Sequence, residues 1–577
     1  MNKKGLCLFL ASIFALSGCK FLDDFFGPQN DSSEKQEESA EPSNEEQQGG
    51  EEQQQGGEEQ QQNPPVEKKH IGEFYGGVVK GNKYTGYEFS KSEEEITKPT
   101  TGIGELSIYA YNDFHGAVLE TENEVGLKYL ASFFKTKSKE NNTLILDQGD
   151  TWQGSFESNY RYGAIVQDVL NYAGVSLRTV GNHDFDWGLE HLKDTNDRKL
   201  GDDYIPCLAS NVFDYSNGVN GTTQQEDYGK EYATFVMDNG IKVGVVGTIG
   251  KSQITSISTQ LVESICFTDH IEKTKEISDF LRTEKDCDIV IASVHEGSED
   301  LYESNLTDIS SVSHKRYVDL VLSGHKHYKQ EYTVDGVKYV QWHSNGKSTG
   351  LVTLKYDFAN NNVVDEDTTV NTYYPNYIKT YYPNIDSNIN KMVDDYLALT
   401  SPITEEILSM NFTGNWDTTS LAYLMAEGIY YSVKNAGKTI DFAVTNYARD
   451  SFSGSTMTFG DLYKCFPFDN QVLLMDVSNG YAQKHIGWNQ SYREDTTKVP
   501  QDGTPCRIAV IDYLGLHQNE NRQFDKFTGA TNVEILKDSN DEPLIYRDLL
   551  KEYLKSNPSK TFNAEDYTSD NPHFAVD

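Results

Sequence analysis

Val175–Gly188 reads VSLRTVGNHDFDWG. An apolar run of strand character ends at Val180, a glycine follows, and then Asn182, His183, Asp184 and Asp186 fall within five positions. By itself this is a polar turn after a strand. The same arrangement recurs along the chain, and the recurrence decides the fold. LSIYAY runs into NDFHG (112–116), TLILD into QGDTWQG (148–154), DIVIASV into HEGSED (295–300), and VDLVLS into GHKHYKQE (324–331). A further apolar run, KVGVVG, lies between them. The segments GLKYLASFFKTKSKE and HIEKTKEISDFLRTEKD read as helices. Strands alternating with helices predict an α/β layered domain. Polar clusters just past the C-terminal ends of strands sit where open α/β sheets bind ligands.

Taken together the clusters hold Asp113, His115, Asp150, Asn182, His295, His325 and His327. Two carboxylates, one amide oxygen and four imidazoles suit borderline divalent ions: zinc, manganese, cobalt or iron. On extended chain, positions i and i+2 face the same side, so Asp113/His115 and His325/His327 are each expected to aim two ligands into one site. Asp150 is a candidate bridge between two ions, and a pair about 3.5–4 Å apart clamps both oxygens of an in-line phosphoryl displacement. Two divalent ions outweigh two aspartates in charge, and a phosphate dianion neutralises the excess.

Outward from this core, the chain has 577 residues and a formal net charge of −39, from 50 Lys+Arg against 89 Asp+Glu. The length suggests about two to four domains. The charge disfavours nucleic-acid polymers and anionic membrane surfaces as partners. The N-terminus, MNKKGLCLFLASIFALSGC, has two lysines, a short apolar run and small residues, as export signals do. Leu16-Ser17-Gly18-Cys19 resembles a bacterial lipobox, which implies cleavage before Cys19 and a lipid anchor there; an ordinary secretory signal is the alternative. Residues 20–69, rich in Glu, Gln and Gly, read as a disordered tether. Beyond Cys7 and Cys19, the cysteines at 207, 266, 287, 465 and 506 form no CxxC and no framework, and read as buried small apolar residues. Residues 103–358 carry the clusters, and 359–399 read as a helical connector through Ile389, Met392, Val393, Tyr396 and Leu397. In 400–577, DFAVTN, QVLLMDV and RIAVIDYL are strand candidates of a second α/β region, and LIYRDLLKEYLKSN is a helix.

The ordered set NDFHG, GDTWQG, GNHDFD, HEG and GHKH resembles the calcineurin-like metallophosphoesterases, and with the C-terminal part the bacterial 5′-nucleotidase group. The resemblance covers roughly residues 103–560. It implies a four-layer α/β sandwich followed by a second α/β substrate-binding domain. It assigns Asp113, His115, Asp150 and His327 to one metal, and Asp150, Asn182, His295 and His325 to the other. Water activated by the metals would be the nucleophile. His183 would face the substrate phosphate, with Asp186 orienting its ring; a helix N-cap is the bland alternative for Asp186. Asp184 replaces the Glu usual in the family and receives no role.

The C-terminal match is thinner. Asn446 and Arg449 resemble the family's Asn and phosphate-binding Arg, although the family's NGGGIR has wider spacing than NYAR here. MNFTGNWDTTSLAYLMAEG lacks the Arg the family carries at the start of this domain. Phe468 in FPFDN matches an aromatic on which a base stacks; core packing is the alternative for it, and a surface ion pair for Arg449. The family's GGDG loop is replaced by DYLGLHQNENRQFDKF, leaving Phe524 or Phe527 for a second ring, ahead of Tyr513. The implied protein is a dinuclear-metal phosphohydrolase, lipid-anchored at a bacterial surface or in the periplasm, acting on small extracellular nucleotides. Alternatives on the same scaffold are a 2′,3′-cyclic-nucleotide phosphodiesterase/3′-nucleotidase and a UDP-sugar hydrolase. From another class, a non-catalytic surface-binding protein would have the same tether.

Overall fold

The computed structural model describes residues 69–574 except 72–73, 198–203, 217–218, 479–488, 498–504, 520 and 525. The export signal, Cys19 and nearly all of the tether therefore lie outside the described residues.

Two sheets pack face to face, and alternation along their strands explains why. In Ile103–Tyr111, Leu106, Ile108 and Ala110 point into the core between the sheets, while Tyr109 and Tyr111 point the other way, towards helix Gly126–Lys137. Leu144 and Leu146 against Ile145 repeat the division one strand further on. In the second sheet, Val243, Val245, Ile289, Ile291, Leu320 and Leu322 face the shared core. Val246, Val290, Ala292, Val294 and Val321 face outward onto helix His270–Thr283, through Ile277, Phe280 and Leu281. Strands buried on both faces read as the continuous apolar runs noted in the sequence. The result is helix, sheet, sheet, helix: the expected four layers.

The first sheet runs Asn362–Val363, Thr349–Asp357, Ile103–Tyr111, Thr143–Asp147, Leu177–Thr179, Cys207–Leu208. Its last four strands are parallel. In the second, Lys242–Ile249, Ile289–His295, Leu320–Ser323 and Val337–Gln341 are parallel neighbours. Because both sheets keep their central strands parallel, the loops after these strands gather at one edge. Residues 70–102, which had no expected role, extend the second sheet through strands Phe74–Lys80 and Thr85–Ser90.

The stretch 359–399 is only partly a connector. Strand Thr369–Tyr373 pairs with Thr349–Asp357 and so belongs to the first sheet. The expected helix follows as Ser387–Thr404, N-capped by the Asp386 side chain, with Ile389, Val393 and Tyr396 buried against the first region. Beyond it, a five-stranded sheet runs Gln490–Tyr492, Phe442–Thr445, Pro505–Ile511, Val472–Ser478, Thr531–Ile535. Helices Thr418–Asn435 and Tyr546–Ser556 share one apolar core with it. Both α/β regions lie within a single compact unit, Pro64–Asp577. Phe156 of the first packs on Phe459 and Tyr463 of the second, and Asn159 donates to the Tyr463 hydroxyl. The five described cysteines are buried and unpaired by disulfides, as expected.

Candidate dinuclear metal centre

Each candidate ligand lies on, or within a few residues beyond, the end of a parallel strand. The expectation that ligand pairs share a side through extended chain does not hold. Asp113, His115, Asp150, His325 and His327 all adopt left-handed backbone, with φ of 48°, 48°, 55°, 77° and 64°. Tight turns, not pleat, bring the pairs to a common point, because each chain must reverse as it leaves its strand. Non-glycine residues in this region cost on the order of 1–3 kcal/mol each, and such strain collects at functional sites. The surroundings hold it in place. His115 N–H donates to Asp150 O, Asp113 N–H to Gly149 O, and His325 N–H to the Asp113 carboxylate.

Donor atoms converge in two groups that share one carboxylate. Asp113, His115, Asp150 and His327 offer ligand atoms within 4.8 Å of one another, and so do Asp150, His295 and His325. In the first group, His115 Nε2 lies 3.0 Å from His327 Nε2, and His327 Nε2 lies 3.3 Å from Asp113 Oδ1. In the second, His295 Nε2 lies 3.2 Å from both Asp150 Oδ2 and Asn182 Oδ1, and His325 Nδ1 lies 3.1 Å from Asn182 Oδ1. Asn182 thus joins the second group. Asp150 Oδ1 accepts the His183 N–H, and Asp150 Oδ2 is buried between the two groups, 3.2 Å from His295 Nε2 and 3.9 Å from His115 Nε2.

These donors fit divalent ions. His115 and His295 direct Nδ1 at the carbonyls of Gln153 and Gln148, at 2.9 and 2.7 Å, which leaves each Nε2 for the site. Burial, with Arg449 and His327, holds His115 far below its usual pKa, and burial with His295 lowers His325 to about 4, which favours the neutral form a metal ligand needs. Burial opposes charge on His295 too, yet the Asp150 carboxylate outweighs it and raises this pKa to about 10. The cluster demands positive charge. A divalent ion held by these residues would supply that charge in place of a proton.

His183 is not one of the ligands. Its Nδ1 lies 2.7 Å from Asp186 Oδ2, and Asp186 is not a helix N-cap: it ends the 3₁₀ turn Asn182–Phe185, and its carboxylate holds the His183 ring. Burial would depress the His183 pKa, but Asp186 and Asp150 overcome it and raise the value. Asp184, which had no expected role, braces the site. It accepts from Arg178 Nη1 at 3.2 Å, Gly181 N at 2.8 Å and Thr151 N at 3.4 Å, tying two ligand loops together. The buried Arg178 in VSLRTV was the sequence signal for that carboxylate.

The C-terminal region closes one side. Arg449 reaches across, its Nη2 3.1 Å from His115 Nε2 and 3.4 Å from His327 Nε2, bringing a cation to the first ligand group. Phe468 stacks on His183 with centroids 5.3 Å apart and 26° between planes. A cavity of about 640 Å³ opens here, lined by Asn182, His183 and His325 on one side and by Asn446, Arg449 and Phe468 on the other. The expected second ring is not in it. Phe527 is 4% exposed and belongs to the C-terminal core, and Phe524 is 47% exposed away from the cavity wall. Tyr513, ranked behind them, does line the cavity, together with Tyr162, Trp187 and His191. The physical reason lies in the replaced loop. Arg522 docks on the Val262 and Ile265 carbonyls, and the chain then turns Phe527 inward.

Comparison with known proteins agrees with this geometry. Residues 106–329 match the family model of the calcineurin-like phosphoesterases. Endonuclease YhcR of Bacillus subtilis (strain 168) is 22% identical over 405 residues, covering 64% of this chain and 32% of that protein. The 5′-nucleotidase of Diplobatis ommata is 30% identical over 231 residues, covering 38% of this chain and 37% of its own. The chain therefore spans about a third of the length of these relatives. Among solved structures, a 5′-nucleotidase precursor from Thermus thermophilus superposes with a TM-score of 0.62 at 16% identity, covering 78% of this chain and 96% of that one. A 5′-nucleotidase from Candida albicans SC5314 gives 0.56 at 15% identity over 80% of this chain and 100% of its own. Residues 106–329 are thus similar to the calcineurin-like phosphoesterases, and the chain shares the two-part fold of the 5′-nucleotidase structures.

Proposed function

We propose that this protein is a metal-dependent hydrolase of nucleotide phosphoesters, exported and tethered to a bacterial membrane through lipidated Cys19. The observation that carries the catalytic half is one carboxylate, Asp150, shared by two groups of metal-ligating side chains at the end of a cavity. Divalent ions held there would polarise a phosphoryl group and lower the pKa of water towards neutrality.

The chain's own groups supply the rest. Arg449 offers a planar fork of donors to phosphate oxygens beside the first ligand group. His183, held through Nδ1 by Asp186, lines the cavity, and its Nε2 would give a proton to the leaving oxygen. Phe468 covers one face of that imidazole and keeps water off it. The leaving nucleoside occupies the cavity beyond. Relatives named 5′-nucleotidase support a nucleotide substrate. One relative is named an endonuclease, but a net charge of −39 disfavours a polyanion.

The test measures bound metal and phosphate release on one preparation of the full chain, with AMP, 3′-AMP, 2′,3′-cyclic AMP, UDP-glucose and single-stranded DNA. Release from AMP with about two metals per chain is expected. Absence of bound metal and of any hydrolysis after metal addition would instead favour a surface-binding protein. Mass analysis of the mature N-terminus checks acylation at Cys19.

A further inference from the structure

With Phe524 and Phe527 out of the cavity, its aromatic surface comes from elsewhere. Tyr513 is a poor candidate for a flat ligand. Lys526 Nζ lies over its ring at 5.5 Å, and His517 stands edge-on at 5.9 Å. Phe468 packs on His183, the ring placed beside the phosphate, so it belongs to the reacting end of the cavity. Tyr162 differs from both. It lies in the metal-bearing region, lines the cavity, and is 42% exposed. One face rests on His191, with centroids 3.9 Å apart and 21° between planes, and Trp187 packs edge-on at 5.6 Å and 73°. The backbone at Tyr162 is left-handed, φ 50°, which an aromatic residue adopts rarely. A turn closed by Tyr162 N–H to Asn159 O and Gly163 N–H to Ser158 O holds it there. Phe468 and Asp469 line the same cavity, and burial and then the Asp469 carboxylate raise the Tyr162 phenol pKa.

An aromatic ring backed on one face, held by its backbone and exposed within a cavity is a stacking surface. We propose that Tyr162, backed by His191 and Trp187, is the platform on which the planar heteroaromatic ring of the leaving nucleoside stacks. Base recognition then comes in part from the metal-bearing region itself. Only the identity of the ring rests on the nucleotide reading above.

Adenosine, which has no phosphate, tests this apart from hydrolysis. Titration calorimetry with the metal-loaded full chain is expected to detect adenosine binding. Tyr162→Ala should weaken it by about tenfold or more, while Tyr162→Phe stays within about twofold, with metal content unchanged in both. Unchanged adenosine affinity in Tyr162→Ala overturns the platform, as does a Tyr162→Phe variant as weak as Tyr162→Ala, or a wild-type chain that does not bind adenosine. Phosphate release from AMP alongside any of these failures would leave the hydrolase reading standing. Tyr162-dependent adenosine binding without hydrolysis of any nucleotide would sink the hydrolase reading and keep the platform.

Discussion

The loops that follow the parallel strands border the cavity, as does the helical turn Asp512–Gly515 from which the segment carrying Phe524 and Phe527 continues, and the two regions behave oppositely. In the first, chemistry stays where local sequence puts it. Asp113, Asp150 and Asn182 each follow a buried strand by a few residues, and backbone bonds between neighbouring loops fix them. In the second, two phenylalanines three residues apart part company: Phe527 enters a core and Phe524 faces solvent. A ligand next to a strand end inherits the strand's position. An aromatic in a long loop goes wherever the loop's own anchors, here Arg522, send it.

The largest effect that would sharpen this contrast lies in the first set. Asp150→Ala should remove the shared oxygen, lower bound metal below two per chain and abolish phosphate release. A variant that keeps both metals would remove the bridging role. His183→Ala, one residue from a ligand, should keep its metals and lose about 10²–10⁴-fold in kcat, because proton transfer is lost and not metal. Near-normal turnover there would break the assignment. Arg449→Ala should lower kcat/KM by about 10–100-fold with metal content unchanged, the scale of a lost hydrogen bond to a charged group. In the second set, Phe527→Ala should cost about 3–5 kcal/mol of stability as a core cavity. Phe524→Ala should stay within about 0.5 kcal/mol. Thermal unfolding of the two variants decides this, and a destabilised Phe524→Ala would contradict the loop path.

The smallest effect concerns pH. Burial raises the Asp512 carboxyl to about 6 from 3.8, although Gln260 and the Tyr513 backbone donate to it. Between those values the folded protein holds a proton that the unfolded chain has lost, so this group's contribution to stability falls as pH rises from 3.8 to about 6. Asp512→Asn should lack that fall, gaining melting temperature relative to wild type as pH rises from about 4 to about 7. A constant difference across that range would count against it.

Residue order and spacing made much of the centre legible. All seven proposed ligands could be named from apolar runs ending in polar clusters, and alternating strands and helices gave an α/β layered domain, while the four layers were implied by the family resemblance. How the ligands converge was misread. Extended chain was expected, and left-handed turns do the work, since φ is a property of the folded path that residue identity constrains only weakly. Asp184 was overlooked because its partners, Arg178 on a strand and Gly181 and Thr151 on two different loops, come together only in the fold.

By itself, then, the sequence determined which side chains would form the candidate ligand set and that sheets would carry them, while the family resemblance set His183 apart from that set. Only the tertiary structure decided that Asp150 Oδ2 faces both groups, that Arg449 reaches His115 from another sheet system, and that Tyr162 rather than Phe524 or Phe527 offers an aromatic face to the cavity. The division has one cause. Donor chemistry and strand burial are set by a few neighbouring residues, whereas contacts between distant segments depend on packing that no local pattern encodes.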